Sequence, residues 1–109
     1  MKINLTIAAM LLCSAPMAIH ADDAKTLWTN RCMKCHGPEG KGDTKMGRKL
    51  NIKDMTDAKV QAGFSDEQAL KALKEGIKDE AGSTRMKAVE GLSDAELNDL
   101  VAYVRGLKK

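Results

Sequence analysis

The sequence predicts a single small all-α domain, and three observations support this prediction. The chain has 109 residues, a length that suits one domain. Three segments repeat apolar residues at spacings of three and four, as on the buried face of a helix. No segment alternates apolar and polar residues in the way that indicates a half-buried strand.

The first 21 residues have the form of a secretory signal peptide. Lys2 supplies a positive start, residues 3–17 are mostly apolar, and an alanine lies at the cleavage position, Ala21. We expect cleavage after Ala21. This leaves residues 22–109 as the domain and places it in the periplasm.

Two other fates of this leader stay open at the sequence level. It could remain as a membrane anchor, but an apolar run of roughly 15 residues is short beside the about 20 that span a bilayer. It could be lipidated at Cys13, but the bulky Leu12 precedes that cysteine. We expect no stable membrane insertion after cleavage.

The expected domain, residues 22–109, is small for a core of its own. It has 88 residues, and its aromatic side chains are only Trp28, Phe64 and Tyr103. This indicates that a bound apolar group completes the core. The charge is only mildly basic and no basic run is interleaved with aromatics, so we expect no nucleic-acid partner.

The first predicted helix covers about residues 23–35. Its buried face comprises Ala24, Leu27, Trp28, Cys32 and Cys35. The second covers about residues 66–75, because Ser65 and Gln68 form the pattern of a capping box and Gly76 is a natural stop.

The third predicted helix follows a second capping-box pattern, Ser93 with Glu96. Leu92 and Leu97 occupy the positions of a hydrophobic staple. The buried stripe comprises Leu97, Leu100, Val101, Val104 and Leu107.

Two long segments lie between these helices, residues 37–64 and 77–91. The first contains one possible short helix near residues 57–62, and the second shows no clear periodicity. Loops of this length are unusual in a small domain unless they serve a function. Both loops are explained if they cover a cofactor.

Residues 32–36 read CMKCH, the attachment signature of c-type haem. Two cysteines separated by two residues lie on one turn, where their thiols can add to the two vinyl groups of a haem. His36 then lies beside the haem plane and binds the iron. We expect one covalently bound haem per chain, attached through Cys32 and Cys35.

The two cysteines, Cys32 and Cys35, have three other interpretations. A thioredoxin-like pair usually follows a strand in a βαβ pattern, which is missing here. A zinc site needs about four protein ligands, yet residues 22–109 contain no further cysteine and no second histidine. A simple Cys32–Cys35 disulfide stays possible on chemistry alone.

The second axial iron ligand is predicted to be a methionine, the usual partner of histidine in electron-transfer cytochromes. Met33 lies within the attachment turn and cannot reach the opposite haem face. Met86 precedes the last helix and can approach from that side, so we favour it. Met46 and Met55 remain alternatives, and any single methionine could simply fill a gap in the core.

With these motifs in hand, the sequence resembles bacterial class I cytochromes c, the small monohaem carriers of periplasmic respiratory chains. The resemblance covers residues 22–109. It rests on LW at 27–28, CMKCHG at 32–37, Met86, GLSD at 91–94 and LVAYV at 100–104.

The resemblance implies that Trp28 packs against Leu100 and Tyr103, and that Met86 is the distal iron ligand. The sequence departs from the family at three places. Ala24 lies where a glycine is frequent, Lys87 follows Met86 where a proline is frequent, and residues 47–50 lack the proline whose carbonyl accepts the bond from the ligand histidine. We therefore expect another carbonyl to accept that bond.

The function implied is outer-sphere electron transfer by a monomer that serves redox protein partners and is not an enzyme. A haem enzyme or gas-binding protein would need an open sixth position, and peroxidase chemistry would need a distal acid–base residue such as histidine. A third possibility is an assembly subunit of a larger haem complex.

Residues 31–53 carry seven basic and two acidic side chains. Arg85 and Lys87 flank the favoured methionine. In the resembling family the haem edge reaches solvent nearby, so we expect this basic surface to steer a partner with an acidic docking face. The alternative is an ordinary solvated surface.

Overall fold

The structure is a computed structural model that describes residues 21–109. The predicted signal peptide lies outside the described residues except for Ala21. The elements are α1 (Ala21–Arg31), α2 (Met33–His36), α3 (Lys45–Leu50), α4 (Ala58–Ala62), α5 (Asp66–Glu75), β1 (Ile77–Lys78), β2 (Thr84–Met86) and α6 (Asp94–Gly106). The predicted all-α class is confirmed, with one small antiparallel hairpin between α5 and α6.

Both predicted capping boxes form. The Ser65 hydroxyl accepts the backbone N–H of Gln68 at 3.0 Å, and the Gln68 side chain accepts the Ser65 N–H at 2.8 Å. Ser93 and Glu96 repeat this arrangement at the start of α6. Each box satisfies donors that a helix start leaves without an intrahelical partner, so these two helix starts were predictable.

The single helix predicted over about residues 23–35 is wrong at its C-terminal end. The helix is interrupted at Cys32, whose backbone angles are φ −120° and ψ −34°, and α2 follows as a separate turn. Cys32 still donates its N–H to the Trp28 carbonyl at 2.8 Å. The buried face therefore continues through the break, which is why residue periodicity did not reveal it.

Two elements were not predicted, α3 and the β1–β2 hairpin. Thr44 caps α3 by accepting the Gly47 N–H at 2.8 Å, and Asn51 ends the helix in the left-handed conformation at φ 52°. The hairpin pairs Ile77 with Met86. The predicted short helix near residues 57–62 is present as α4.

The core lies where α1, α5 and α6 meet. Its buried members are Trp28, Cys32, Leu73, Leu97, Leu100 and Val101. Val104 and Leu107, predicted to belong to the buried stripe of the last helix, are half-buried and pack against the edge of this core. Leu92 also packs against this cluster, as expected for a hydrophobic staple. The Trp28 and Tyr103 rings lie 5.5 Å apart, which confirms the predicted contact between α1 and α6.

Arg105 ties the end of α6 to the chain around α4. Its guanidinium donates to the carbonyls of Gln61 at 2.5 Å and Phe64 at 2.6 Å, and it pairs with Asp66 at 2.7 Å. The buried Gln61 side chain in turn donates to the Met55 carbonyl at 2.7 Å. This network fixes the loop before α5 against the last helix. Within residues 21–109, no helix combines the length and apolar character needed to cross a membrane.

Candidate functional site

The CMKCH turn, residues 32–36, lies at the edge of the core. Cys32 is buried and Cys35 is half-buried, and both are free thiols. Burial raises the pKa of the Cys32 thiol to about 11, against the smaller opposing influence of Arg31, so this thiol is protonated at neutral pH. The turn thus presents two reduced sulfur atoms three residues apart.

His36 is the histidine of this turn, and its surroundings favour the neutral imidazole. Its ring centroid lies 5.5 Å from that of Trp28, and burial lowers the pKa of His36 below its usual value. A neutral imidazole has one nitrogen lone pair free to bind a metal. The Nδ1 atom is buried and has no hydrogen-bond partner among the described residues. The carbonyl that we expected to accept a bond from this histidine is therefore not found there.

The loop after the turn holds its backbone in place through three hydrogen bonds. The Gly37 carbonyl accepts the Trp28 indole N–H at 3.1 Å. The His36 carbonyl accepts the Gly42 N–H at 2.7 Å. The Cys35 carbonyl accepts the Thr44 hydroxyl at 2.6 Å. These bonds fix the direction in which the turn's side chains project.

Gly47 lets α3 approach the same turn closely. A β-carbon at this position would lie 2.3 Å from the Gly42 carbonyl oxygen and 2.7 Å from that of Cys35. A residue with a β-carbon would therefore fit here only if the neighbouring backbone moved, and glycine fits without any change. Thr44 and Gly47 were not predicted as site residues, although threonine is a favoured N-cap residue and Thr44 was therefore a usable sign of a helix start.

Met86 reaches the core from the hairpin side. It is half-buried at the end of β2 and packs against the cluster that contains Cys32 and Trp28. Met46, by contrast, is 36% exposed on α3. Met55 lies next to Gly40. Neither Met46 nor Met55 packs against the core cluster. Met33 packs against the cluster too, but from within the CMKCH turn itself.

The competing interpretations of the cysteine pair find no support in the described part of the chain. No three side chains of the types His, Cys, Asp or Glu come together there as a metal site. The strands described form only a two-stranded hairpin, so the βαβ setting of a thioredoxin-like pair is missing from it. Both cysteines are free thiols, not a disulfide.

The basic surface centres on α3. Lys45, Arg48 and Lys49 are exposed on this helix, with Met46 between them. Lys41 contributes less than its charge suggests, because it pairs with Glu39 at 2.9 Å. The surface beside the CMKCH turn therefore combines positive charge with an exposed thioether.

Comparison with known proteins identifies the family of this chain. The structure is that of a small all-α protein whose CMKCH turn has the attachment motif of c-type haem. A family model described as "Cytochrome c" matches residues 21–108. The chain therefore belongs to the cytochrome c family, whose members transfer electrons through a covalently bound c-type haem.

Solved structures give the same result. The KustC0563 c-type cytochrome is 33% identical in sequence, with a TM-score of 0.68, and the match covers 80% of this chain and 99% of that one. A tyrosine-to-phenylalanine mutant of the same protein is 32% identical, with a TM-score of 0.65 over 79% of this chain and 99% of that one. No curated protein sequence matches this chain.

We predict that Gly47→Ala destabilises the protein by about 2 kcal/mol or more, because the new methyl group would overlap two carbonyl oxygens. Gly106→Ala is the matched control, since nothing lies within 4 Å of a β-carbon at that helical position. The control should be neutral or stabilising by roughly 0.5–1 kcal/mol. Denaturant unfolding of the purified proteins measures both, and equal stabilities would contradict the close approach of α3 to the turn.

Proposed function

We propose that this protein is a one-electron carrier of the periplasm. It binds one haem through thioethers at Cys32 and Cys35, and His36 and Met86 are the axial iron ligands. The observation that carries the proposal is the CMKCH turn, held at the edge of the core of a chain that belongs to the cytochrome c family. The proposed location rests on the signal peptide predicted for residues 1–21.

The residues present fit this group. The two free thiols are spaced for one turn, and the neutral His36 imidazole offers a nitrogen to a metal. The His36 Nδ1 atom has no hydrogen-bond partner among the described residues. In a histidine that binds a metal through Nε2, the Nδ1–H group usually donates to a carbonyl or to water, so this atom is free for such a bond. The core of six buried residues is small for this chain, so an apolar group adds stability.

The chain's own side chains would favour electron transfer over catalysis. When bound, a c-type haem would supply reversible one-electron chemistry. Met86 would hold the iron on the side opposite His36, so small molecules would not reach the iron, and its thioether would raise the reduction potential. Trp28 and Leu100, which are 2% and 0% exposed, keep water from the core side. The site then has no position at which a substrate could react.

The docking partner is proposed to be a redox protein with an acidic face. Lys45, Arg48 and Lys49 on α3 attract such a face, and the exposed Met46 offers an apolar contact on the same helix. Because α3 packs on the CMKCH turn, a protein bound there lies close to the haem. The protein itself is proposed to act as a monomer.

We predict that the purified periplasmic protein has the mass of residues 22–109 plus one haem. Intact-mass measurement tests signal cleavage and haem stoichiometry together. The double variant Cys32→Ala, Cys35→Ala should carry no covalent haem and should not accumulate as a folded protein. The matched control Cys13→Ala should leave the mature mass unchanged. A stable haem-free double variant with native helix content would contradict a haem-completed core.

We predict that Met86→Ala keeps its haem but opens the iron to small ligands, because the thioether no longer fills the second axial position. The ferrous variant should bind carbon monoxide, the weak far-red absorption band of a ferric iron–methionine bond should vanish, and the potential should fall. Met46→Ala and Met55→Ala are matched controls that should behave as the unaltered protein. Loss of the band in either control would instead move the ligand to that residue.

We predict that electron transfer to a small anionic oxidant such as ferricyanide slows about tenfold from low to high ionic strength, because salt screens the basic surface. A cationic reagent of similar size should show the opposite trend. Lys49→Glu should flatten the dependence on salt for the anion, whereas Lys71→Glu on α5 should change it little. A flat dependence in the unaltered protein would reject electrostatic steering.

A further inference from the structure

Arg85 makes a long-range contact beside the proposed iron ligand. It precedes Met86 in β2, and its Nη2 donates a hydrogen bond to the backbone carbonyl of Leu50. Leu50 is the last residue of α3, far away in sequence. This contact joins the hairpin to the helix on the other side of the site.

The acceptor is a carbonyl that a helix end leaves without an intrahelical donor. Asn51 and Ile52 donate to the carbonyls of Gly47 and Arg48 as α3 ends, but neither donates to Leu50. A guanidinium bond to this oxygen is charge-assisted and therefore stronger than a neutral one. Arg85 thus satisfies an acceptor that would otherwise depend on solvent.

Helix α3 is itself fixed to the CMKCH turn. Thr44, its cap, donates to the Cys35 carbonyl at 2.6 Å, and Gly47 sits directly against the same carbonyl. A continuous path therefore runs from Cys35 through α3 and Arg85 to Met86. It connects the CMKCH turn, which carries His36, with the hairpin, which carries Met86.

The hairpin makes few other hydrogen bonds to the rest of the described structure. Its turn is closed internally, since Asp79 donates to Ser83 and accepts from Gly82 and Ser83. It is flanked at the end of α5 by bonds from Gly76 to Ala72 and from Val89 to Leu73. Among residues 21–109, the bond from Arg85 is the one hydrogen bond that leaves residues 77–86 toward α3.

We propose that Arg85 is a positioning residue that latches the hairpin onto α3 and so holds Met86 over the iron. The inference rests on the proposed ligation by His36 and Met86. With the latch closed, the thioether competes strongly against incoming ligands. With the latch broken, the hairpin swings about its attachment to α5 and Met86 is displaced more easily, although the haem and the three main helices stay in place.

The test uses the ferric holoprotein and imidazole as the competing ligand. Arg85→Gln removes the latch, and Lys87→Gln is the matched control, since it removes one positive charge on the other side of Met86 and its side chain has no hydrogen bond or ion pair among the described residues. We expect Arg85→Gln to raise the affinity for imidazole about five- to tenfold, in keeping with the loss of one charged, exposed hydrogen bond. Lys87→Gln should change it less than about twofold.

Hydrogen exchange separates a latch from a general structural role. In Arg85→Gln the amides of β2 should lose protection, while those of α1 and α6 keep it, because only the hairpin opens. Equal loss of protection in all three elements would overturn the latch. If Arg85→Gln does not accumulate, Arg85→Lys keeps the charge with a poorer donor geometry, and its imidazole affinity should exceed that of the unaltered protein. Equal affinities in these two proteins would overturn the latch.

Met86→Ala, measured in parallel, distinguishes failure of the latch from failure of the ligand assignment. If Met86→Ala loses the far-red band but Arg85→Gln matches Lys87→Gln in imidazole affinity, the latch is wrong and the ligation stands. If the unaltered protein lacks that band and Met86→Ala leaves imidazole binding unchanged, the ligation is wrong and the latch falls with it.

Discussion

The packing of Trp28 is the contact on which the rest of the structure depends. Its indole N–H bonds to the Gly37 carbonyl, while its ring lies 5.5 Å from both His36 and Tyr103. One side chain thereby joins α1, the CMKCH turn, the following loop and α6. Because it is 2% exposed, any change in its position is transmitted to all four.

The two sides of the site are built differently. The His36 side is held by short-range backbone bonds and by a glycine that lets α3 lie against Cys35. On the other side, Met86 belongs to a hairpin. The hairpin contacts the rest of the molecule through the packing of Met86 against the core and through the hydrogen bond from Arg85 to Leu50. This division matches the proposed roles of the two sides, with covalent attachment of the cofactor at the CMKCH turn and a single methionine ligand on the hairpin.

The sequence alone predicted the parts of the fold that depend on local rules. The capping boxes at Ser65 and Ser93 and the buried face of α1 follow from side-chain spacing, and all three are present. The elements that were missed depend on distant partners. Helix α3 is too short to show periodicity and is fixed by the Cys35 carbonyl, and the hairpin follows a glycine at φ 74°, Gly76.

The contact between α1 and α6 joins residues that lie far apart in the chain. Closing a loop that spans most of a chain costs entropy before the contact at its ends gives anything back, so such contacts form late. Until α6 docks, Trp28 and Cys32 are not covered by Leu100 and Tyr103. This delay is a period in which the two thiols remain accessible to chemical modification before the core closes over them.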